Sequence, residues 1–403
     1  MMKKILTLFF ICSYFFAEAD YWTQKANFGG AARYQAVGFS IGNKGYIGTG
    51  NDNSGNFYND FWEWDQSTNV WTQKADFAGA PRCQAVGFAI NGKGYVGTGN
   101  VGSGQYKKDF WEYDPSTNSW AQKTDFGNNF ITQATGFAIN SKGYIGTGYP
   151  YLASSPTNDF WEYDPATNSW TQKANFGGIG RWSAVGFSIG NKGYIGTGEY
   201  LPVADLKDFW EYDPAINIWT QKADVGTINR AFAVGFFINN KGYIGTGQSS
   251  GSRKKDFWEY NSITNTWMQK TDFPFLRDIA VGFSINNKGY IGTGYYPTAF
   301  NDFWEYTPDS TTSIEETPNN NLKLTISPNP AKEFIVCSLQ FAVHEIINLS
   351  VTDINGRKIF FKQLETENRK PETKIDVSNF SNGVYFVTVD DGKQKAVRKF
   401  LKE

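Results

Sequence analysis

Short runs of alternating apolar and polar residues, separated by turn residues, fill residues 20–306 of this 403-residue chain. Residues 82–90 and 94–99 are two such runs on either side of Asn-Gly-Lys. A period of two residues is typical of a strand with one buried face, and an Asn/Gly-rich turn between two runs indicates a β-hairpin. A third run follows at residues 109–114 and a fourth begins at Trp120, so each unit predicts four short antiparallel strands.

The four-strand unit recurs six times along the chain. The block Asp-Phe-Trp-Glu begins at spacings of 49, 50, 49, 48 and 46 residues, and two further blocks, Gly-Tyr-Ile/Val-Gly-Thr-Gly and Trp-x-Gln-Lys, recur in step with it. The repeats open on Trp-x-Gln-Lys at Trp22 and close on residues 302–306 without another copy of that block. The first segment therefore supplies what the last repeat lacks. We predict a closed ring in which the Trp22 strand completes the sheet built from residues 277–306.

The order of these blocks resembles the kelch repeat of galactose-oxidase-like propellers. The likeness is strongest in Tyr-Asp-Pro-x-Thr-Asn-x-Trp at residues 113–120 and 163–170, whereas Gly-Thr-Gly stands where kelch repeats have a Gly-Gly pair. The resemblance implies an all-β fold, a six-bladed kelch-type β-propeller over residues 20–306, closed by the N-terminal strand. It does not imply an activity, because propellers host many unrelated functions.

The segments on either side of the repeats have different compositions. A lysine pair, a short apolar run and an Ala-Glu-Ala cleavage sequence predict a signal peptide at residues 1–19, after whose removal we expect no transmembrane segment. Residues 307–322 are polar, contain proline and show no periodicity, which predicts a linker.

Residues 323–403 lack tryptophan and are rich in lysine. Their short apolar runs predict a small Ig-like β-sandwich. The runs are residues 324–326, 334–339, 349–353, 358–361, 384–389 and 396–401. Four blocks, Ser327–Pro330, Val351–Arg357, Asp376–Tyr385 and Lys399–Glu403, resemble the C-terminal sorting domain of type IX secretion cargo. The resemblance implies the type IX secretion machinery as a partner and a secreted or outer-surface location in a Bacteroidota-type bacterium. An ordinary carbohydrate-binding or adhesive sandwich is the alternative.

Charge and histidine content exclude several classes of function. The net charge is −1, so the chain offers no basic surface of the kind that binds nucleic acid. The only histidine, His344, lies in the predicted sorting domain. The repeats therefore lack the imidazole that a galactose-oxidase-like copper site, a histidine-ligated zinc site or a Ser-His-Asp triad requires. We expect no metal and no cofactor, and the repeats single out no catalytic residue.

Arginine precedes the first predicted strand in five of the six repeats, and Ile131 takes that place in the third. The five arginines are Arg33, Arg82, Arg181, Arg230 and Arg277. A guanidinium is suited to binding anionic partners, and kelch propellers with known ligands can carry arginines at the channel mouth in this position. The alternative is that each arginine pairs with a carboxylate of its own repeat, which their periodicity favours. The sequence leaves both interpretations open.

Two sets of segments differ freely among the six copies. One set follows Gly-Thr-Gly, at residues 51–59, 100–108, 149–158, 199–207, 248–255 and 295–301. The other set precedes the arginine position, at residues 26–32, 75–81, 124–130, 174–180, 223–229 and 271–276. Strand alternation places both sets at one face of the ring, which we call the loop face, and the nearly constant turns at the other. Variation confined to loops on a rigid scaffold is typical of recognition, although unconstrained drift gives the same pattern.

The loop face offers tyrosines among small polar residues, a combination suited to glycan or protein surfaces. The candidate ligand-binding tyrosines are Tyr58, Tyr106, Tyr149, Tyr151, Tyr200, Tyr295 and Tyr296. We therefore predict a secreted or surface-displayed binding or adhesion protein that recognises an extracellular glycan or protein. The alternative is a carbohydrate-active enzyme, a sugar isomerase or lyase with a histidine-independent site at the channel mouth.

Overall fold

The computed structural model describes residues 19–127, 129–200, 204–309, 323–340, 346–353, 357–365, 372–390 and 395–402. The chain divides into two compact units, residues 1–310 and 311–403. Residues 1–18 of the predicted signal peptide, most of the predicted linker and His344 lie outside the described residues. The regular elements of the described residues are all β-strands, which confirms the all-β class. No helix in this part of the chain is long and apolar enough to cross a membrane.

The described residues of the first unit form six four-stranded antiparallel sheets, joined by loops and turns. Sheet one contains Val37–Ile41, Lys44–Gly48, Phe61–Asp65 and Val70–Gln73. Sheet two contains Val86–Ile90, Lys93–Gly97, Phe110–Asp114 and Ser119–Lys123. Sheet three contains Thr135–Ile139, Lys142–Gly146, Phe160–Asp164 and Ser169–Gln172.

The remaining sheets have the same plan. Sheet four contains Val185–Ile189, Lys192–Gly196, Phe209–Asp213 and Ile218–Lys222. Sheet five contains Val234–Ile238, Lys241–Gly245, Phe257–Asn261 and Thr266–Lys270. Sheet six contains Val281–Ile285, Lys288–Gly292, Phe303–Thr307 and, as its outer strand, Tyr21–Gln24. Three two-residue ribbons pair Ile131–Thr132 with Tyr149–Pro150, Glu199–Tyr200 with Ala204–Asp205, and Gln248–Ser249 with Ser252–Arg253.

The core of the first unit lies between neighbouring sheets. Val86, Phe88 and Ile90 of the first strand of sheet two are buried, as the alternating pattern predicts. The first strands of the six sheets contact one another in chain order, and the first strand of sheet six contacts that of sheet one. Farther out, Trp120 in the outer strand of sheet two packs edge-on against Phe61 of sheet one, with ring centroids 5.0 Å apart. Burial of aromatic rings between adjacent sheets is the main stabilising contribution that these contacts supply.

The predicted pairing of the Trp22 segment with the last repeat is confirmed. Tyr21 pairs with Thr307 and Gln24 with Trp304 in an antiparallel register. The Trp22 indole packs edge-on against Phe257 of sheet five at 5.1 Å and donates a hydrogen bond to the Thr271 carbonyl at 3.1 Å. This junction therefore has the same contacts as a junction between two sheets that are continuous in sequence.

Close packing and backbone conformation explain a glycine and a threonine that recur in every repeat. A Cβ on Gly94 would lie 2.6 Å from the ring of Phe39 in the preceding sheet, so only glycine permits this approach. The threonine of Gly-Thr-Gly has a positive φ in every repeat, 62° at Thr98, which is uncommon for a β-branched residue. Its carbonyl accepts a hydrogen bond from Arg82 Nη1 at 2.9 Å, so the unusual backbone directs an acceptor at the arginine.

The two variable sets of segments meet at the same end of the sheets. Backbone hydrogen bonds join Cys83 N to Asn100 O at 2.9 Å and Arg82 N to Tyr58 O at 3.2 Å. Each bond connects the segment before a first strand to a loop that follows a second strand. The loop face is therefore a continuous, hydrogen-bonded layer.

The second unit has its own core. One sheet contains Lys323–Ser327, Phe334–Gln340 and Glu372–Asp376, and the other contains Lys358–Glu365, Ile346–Asp353, Gly383–Asp390 and Lys395–Lys402. Residues from both sheets, among them Ile335, Val351 and Val387, form one buried cluster. The strand Glu372–Asp376 is not among the predicted runs, because its buried residues Thr373 and Ile375 alternate with charged ones and form no apolar run.

Candidate functional site

The five candidate arginines form a buried layer beneath the loop face, which we call the arginine layer. Arg82 makes two hydrogen bonds with Asp109, Nη1 to Oδ1 at 2.6 Å and Nη2 to Oδ2 at 2.8 Å. It also donates from Nε to the Ala80 carbonyl at 3.0 Å and lies over the Phe77 ring. The equivalent two-point pairs are Arg33 with Asp60, Arg181 with Asp208, Arg230 with Asp256 and Arg277 with Asp302.

These arginines have no surface to offer a ligand, because all five side chains are 0% exposed. Burial alone would raise the pKa of Asp109, but the hydrogen bonds and charge of Arg82 outweigh it and hold that pKa below its usual range. The same balance lowers the pKa of Asp208 and Asp256. The structure thus favours the second interpretation of the arginines, and we assign Arg33, Arg82, Arg181, Arg230 and Arg277 to the framework of the sheets rather than to ligand contact.

Four of the candidate tyrosines pack against an aromatic ring of a neighbouring repeat. Tyr106 meets Tyr151 with ring centroids 5.6 Å apart, and Tyr34 meets Tyr295 at 5.2 Å. Tyr149 meets the Trp182 ring at 5.0 Å. Each of these contacts joins loops of neighbouring repeats, so the rings also stabilise the loop face.

The candidate tyrosines differ in solvent exposure, which determines how well a partner can contact them. Tyr151 and Tyr296 are 45% and 40% exposed. Tyr58 lies against the Arg33 guanidinium and donates its hydroxyl to Asp52 at 2.7 Å. Tyr200 is half-buried and pairs through its backbone with residue 204. Tyr151 and Tyr296 are therefore the two candidates best placed to touch a large ligand.

A cavity of about 130 Å³ lies at the centre of the loop face, where the six first strands begin. Each repeat contributes two consecutive residues to its wall, and the second is always alanine. We call the first of the two the mouth residue. The mouth residues are Gln35, Gln84, Gln133, Ser183, Phe232 and Ile279.

The backbone of the mouth residues forms a closed circle of hydrogen bonds. Gln84 N donates to Gln35 O at 3.0 Å, Gln133 N to Gln84 O at 3.1 Å, and the pattern continues until Gln35 N donates to Ile279 O at 3.0 Å. All six residues have φ between 48° and 58°. The backbone is therefore the same in every repeat, and only the side chains distinguish one part of the mouth from another.

Sequence reasoning missed the mouth residues. The available signal was their position directly before an alanine that all six repeats share, where the repeats carry four different residue types. Periodicity directed attention to the arginines, which repeat because they hold the fold together.

Two carboxylates near the mouth occur in one repeat each. Asp278, next to Ile279, is 3% exposed, and its Oδ2 atom lies 3.0 Å from Nε of Arg253. Burial raises the pKa of Asp278 against the opposing charge of Arg253. Glu199 pairs through its backbone with Trp182, and burial together with Asp205 raises its pKa. A raised pKa is typical of carboxyl groups that act as general acids, so both groups are candidates for that role.

Residues 325–403 match the family model of the secretion system C-terminal sorting domain. This confirms the predicted sorting domain and indicates export to the cell surface or to the medium. The solved structure entitled "Structure of YjhT" is 19% identical to the chain, with a TM-score of 0.60, and the match covers 69% of this chain and 95% of that one. At this identity the likeness shows a shared fold alone. No curated protein matches the chain.

Proposed function

We propose that residues 20–306 form a six-bladed kelch-type β-propeller, closed by the N-terminal strand, and that residues 323–403 are an Ig-like sandwich used for type IX secretion. The propeller is a binding or adhesion module that recognises an extracellular glycan or protein through its loop face. The circle of contacts among six four-stranded sheets and the fold likeness to YjhT support the architecture. We propose that the predicted linker at residues 307–322 connects the two parts, except that Thr307 pairs with Tyr21 and so belongs to sheet six.

The observation that carries the binding function is the chemistry of the central cavity. Its described lining consists of amide, hydroxyl and apolar side chains, without a carboxylate, amine or guanidinium. Such groups can recognise a ligand by hydrogen bonds and apolar contact, but they supply neither a general acid nor a general base. The exposed Tyr151 and Tyr296 extend the same kind of surface outward.

The binding function is tested on arrays of glycans and of bacterial and host surface proteins. We expect the full-length protein to bind, and the double variant Tyr151→Ser/Tyr296→Ser or a mouth variant to bind less. Ile263→Ser is the matched control, because Ile263 is 93% exposed in a turn away from the loop face. Binding that is unchanged by every loop-face variant would contradict the proposal.

The secretion function is tested by fusing residues 307–403 to a periplasmic reporter in a bacterium with a type IX system. We expect the reporter outside the cell. A reporter retained in the periplasm would leave the second unit as a sandwich with another role, such as carbohydrate binding.

A carbohydrate-active enzyme, a sugar isomerase or lyase, is the second candidate function, and the raised pKa values of Asp278 and Glu199 favour it. A raised pKa brings a carboxyl group closer to the range in which it can act as a general acid. Incubation of glycan mixtures with the protein, followed by NMR of the products, tests this candidate. Turnover that disappears in Asp278→Asn and Glu199→Gln would support an enzyme, and unchanged glycans would support binding.

A further inference from the structure

We propose that the central cavity binds the neutral end of a glycan, one sugar ring that carries an apolar substituent such as a methyl or N-acetyl group. The inference deepens the proposed function and rests on the ligand of the loop face being a glycan and not a protein. It comes from an asymmetry among the six mouth residues, which the repeated backbone would not by itself produce.

The mouth has two walls of opposite chemistry. Gln35, Gln84 and Gln133 belong to three successive sheets and form an arc of amides. Phe232 and Ile279 belong to sheets five and six and form an apolar arc. Because the backbone circle is the same in all six repeats, these side chains start from equivalent points around one axis. A ligand at the centre therefore meets amides on one side and an aromatic ring with an aliphatic chain on the other.

Glutamine amides are suited to sugar hydroxyls, because each offers two N–H donors and one carbonyl acceptor to groups that are themselves both donors and acceptors. The Thr132 hydroxyl donates to Gln84 Oε1 at 2.8 Å and so holds this amide in place. A preorganised amide loses less side-chain entropy when it binds. The opposite wall suits a methyl group or the C–H face of the ring, which gains by leaving water.

The charges around the cavity favour a neutral sugar over an acidic one. A buried anion is stabilised most strongly by a charged donor such as a guanidinium or an ammonium group. The five guanidinium groups of the arginine layer lie buried against aspartates, and Arg253 is paired with Asp278, so none of these cations is free to bind an anion in the cavity. The ligand that fits this chemistry is neutral.

The size of the cavity selects a single ring. Its volume of about 130 Å³ is well below the roughly 300–1,000 Å³ of pockets that enclose drug-sized ligands. Below it, a space of about 160 Å³ is lined by Ala, Val or Thr, and Gly from each of the six first strands. One terminal sugar can enter the mouth while the rest of the chain extends over the loop face toward Tyr151 and Tyr296.

The proposal is tested with free monosaccharides and the full-length protein by ligand-observed NMR. The probes are fucose and N-acetylglucosamine, which are neutral with a methyl-bearing substituent, galactose, which is neutral without one, and glucuronic acid, which is anionic. We expect fucose or N-acetylglucosamine to bind most tightly and glucuronic acid to bind least. Gln84→Leu should weaken binding about 3- to 10-fold, the loss of one hydrogen bond. Phe232→Ser should weaken it about tenfold through lost ring contact.

Controls separate this inference from the proposed function. Ile263→Ser should bind as the parent does, and the thermal midpoints of Gln84→Leu and Phe232→Ser should stay close to that of the parent. Tight binding of glucuronic acid, or loss of binding only in Tyr151→Ser/Tyr296→Ser, would overturn the mouth site and leave a glycan-binding loop face. Absence of binding to every sugar and every glycan on the array would overturn the glycan alternative itself, and the mouth site with it.

Discussion

Two positions only two residues apart in each repeat have opposite properties. Arg82 is identical in five repeats, fully buried and bound to Asp109, whereas Gln84 varies among the repeats, is half-exposed and lines the central cavity. The arginine layer repeats because each sheet needs the same support. The mouth varies because its backbone is already held by a circle of hydrogen bonds, so its side chains are free to differ. In a repeat protein, constancy therefore marks the scaffold and variation on a constant backbone marks the candidate site.

The largest effect should come from breaking the scaffold at its junction. Deleting residues 20–27 removes the outer strand of sheet six and the Trp22 ring that packs on Phe257 and Phe273. We expect a loss of more than about 5 kcal/mol in the free energy of unfolding, since Trp→Ala alone costs about 3–5 kcal/mol in a core. Urea unfolding monitored by tryptophan fluorescence measures it.

Trp22→Ala and Thr23→Ala are the controls for the deletion, because Trp22 packs against sheet five and Thr23 is exposed on the same strand. Trp22→Ala should reproduce most of the loss and Thr23→Ala almost none. A deletion variant that unfolds at the same urea concentration as the parent would show that the strand does not close the ring.

The next largest effect should come from the arginine layer. Arg82→Met leaves the Asp109 carboxylate without its buried partner, and breaking a buried pair from one side costs about 3–5 kcal/mol. The double variant Arg82→Met/Asp109→Leu should recover much of the loss, because no unpaired charge then remains. Equal stability of the single and double variants would contradict the assignment.

Sheet three provides a matched comparison for the same layer. Ile131 stands in place of the arginine there, although Asp159 keeps the position of Asp109. Asp109→Asn should therefore lower the free energy of unfolding by about 1–3 kcal/mol, the cost of weakening charge-assisted hydrogen bonds, and Asp159→Asn by much less. Thermal unfolding of the two variants side by side measures the difference. Equal losses of stability in the two variants would contradict the prediction.

A smaller effect should appear in the pH dependence of stability. The folded-state pKa values of Asp109, Asp208 and Asp256 are lowered, so their contribution is complete above the ordinary Asp pKa of about 3.9. It is lost as the pH falls below that value toward the folded-state pKa, because the unfolded chain then binds more protons. Urea unfolding at pH 7, 5, 4 and 3 should show a steeper loss below pH 4 for the parent than for Arg82→Met/Asp109→Leu.

The smallest effect on stability should come from the mouth. Gln84→Leu changes a half-exposed side chain on a backbone held by its own hydrogen bonds, so the free energy of unfolding should change by less than about 1 kcal/mol. The same substitution should weaken sugar binding. A loss as large as that of Arg82→Met, two residues earlier, would remove the distinction between scaffold and site.

The strand pattern and the junction at Trp22 could be predicted because they depend on local alternation and on which block was missing. The role of the arginines could be predicted only in part. Their periodicity favoured pairing with an internal carboxylate, but a guanidinium at a strand start also suits a channel mouth, and only burial separates the two. The mouth residues could not be predicted from the sequence for a different reason. Glutamine, phenylalanine and isoleucine form no motif, and they become a site only because the sheets bring six distant positions around one axis.

The strand that closes the ring also constrains the order of events during export. Tyr306 donates its hydroxyl to the Asp20 carboxylate, 286 positions earlier, and residues 21–24 pair with residues 304–307. Sheet six cannot exist until both segments are on the same side of every membrane that the chain crosses. A chain that moves from its N-terminus onward keeps the Trp22 strand without its partner until nearly the whole first unit has arrived. The sixth sheet can thus form only after residue 307 has crossed, and a chain halted before that point retains an open sheet edge that a quality-control protease or chaperone can recognise.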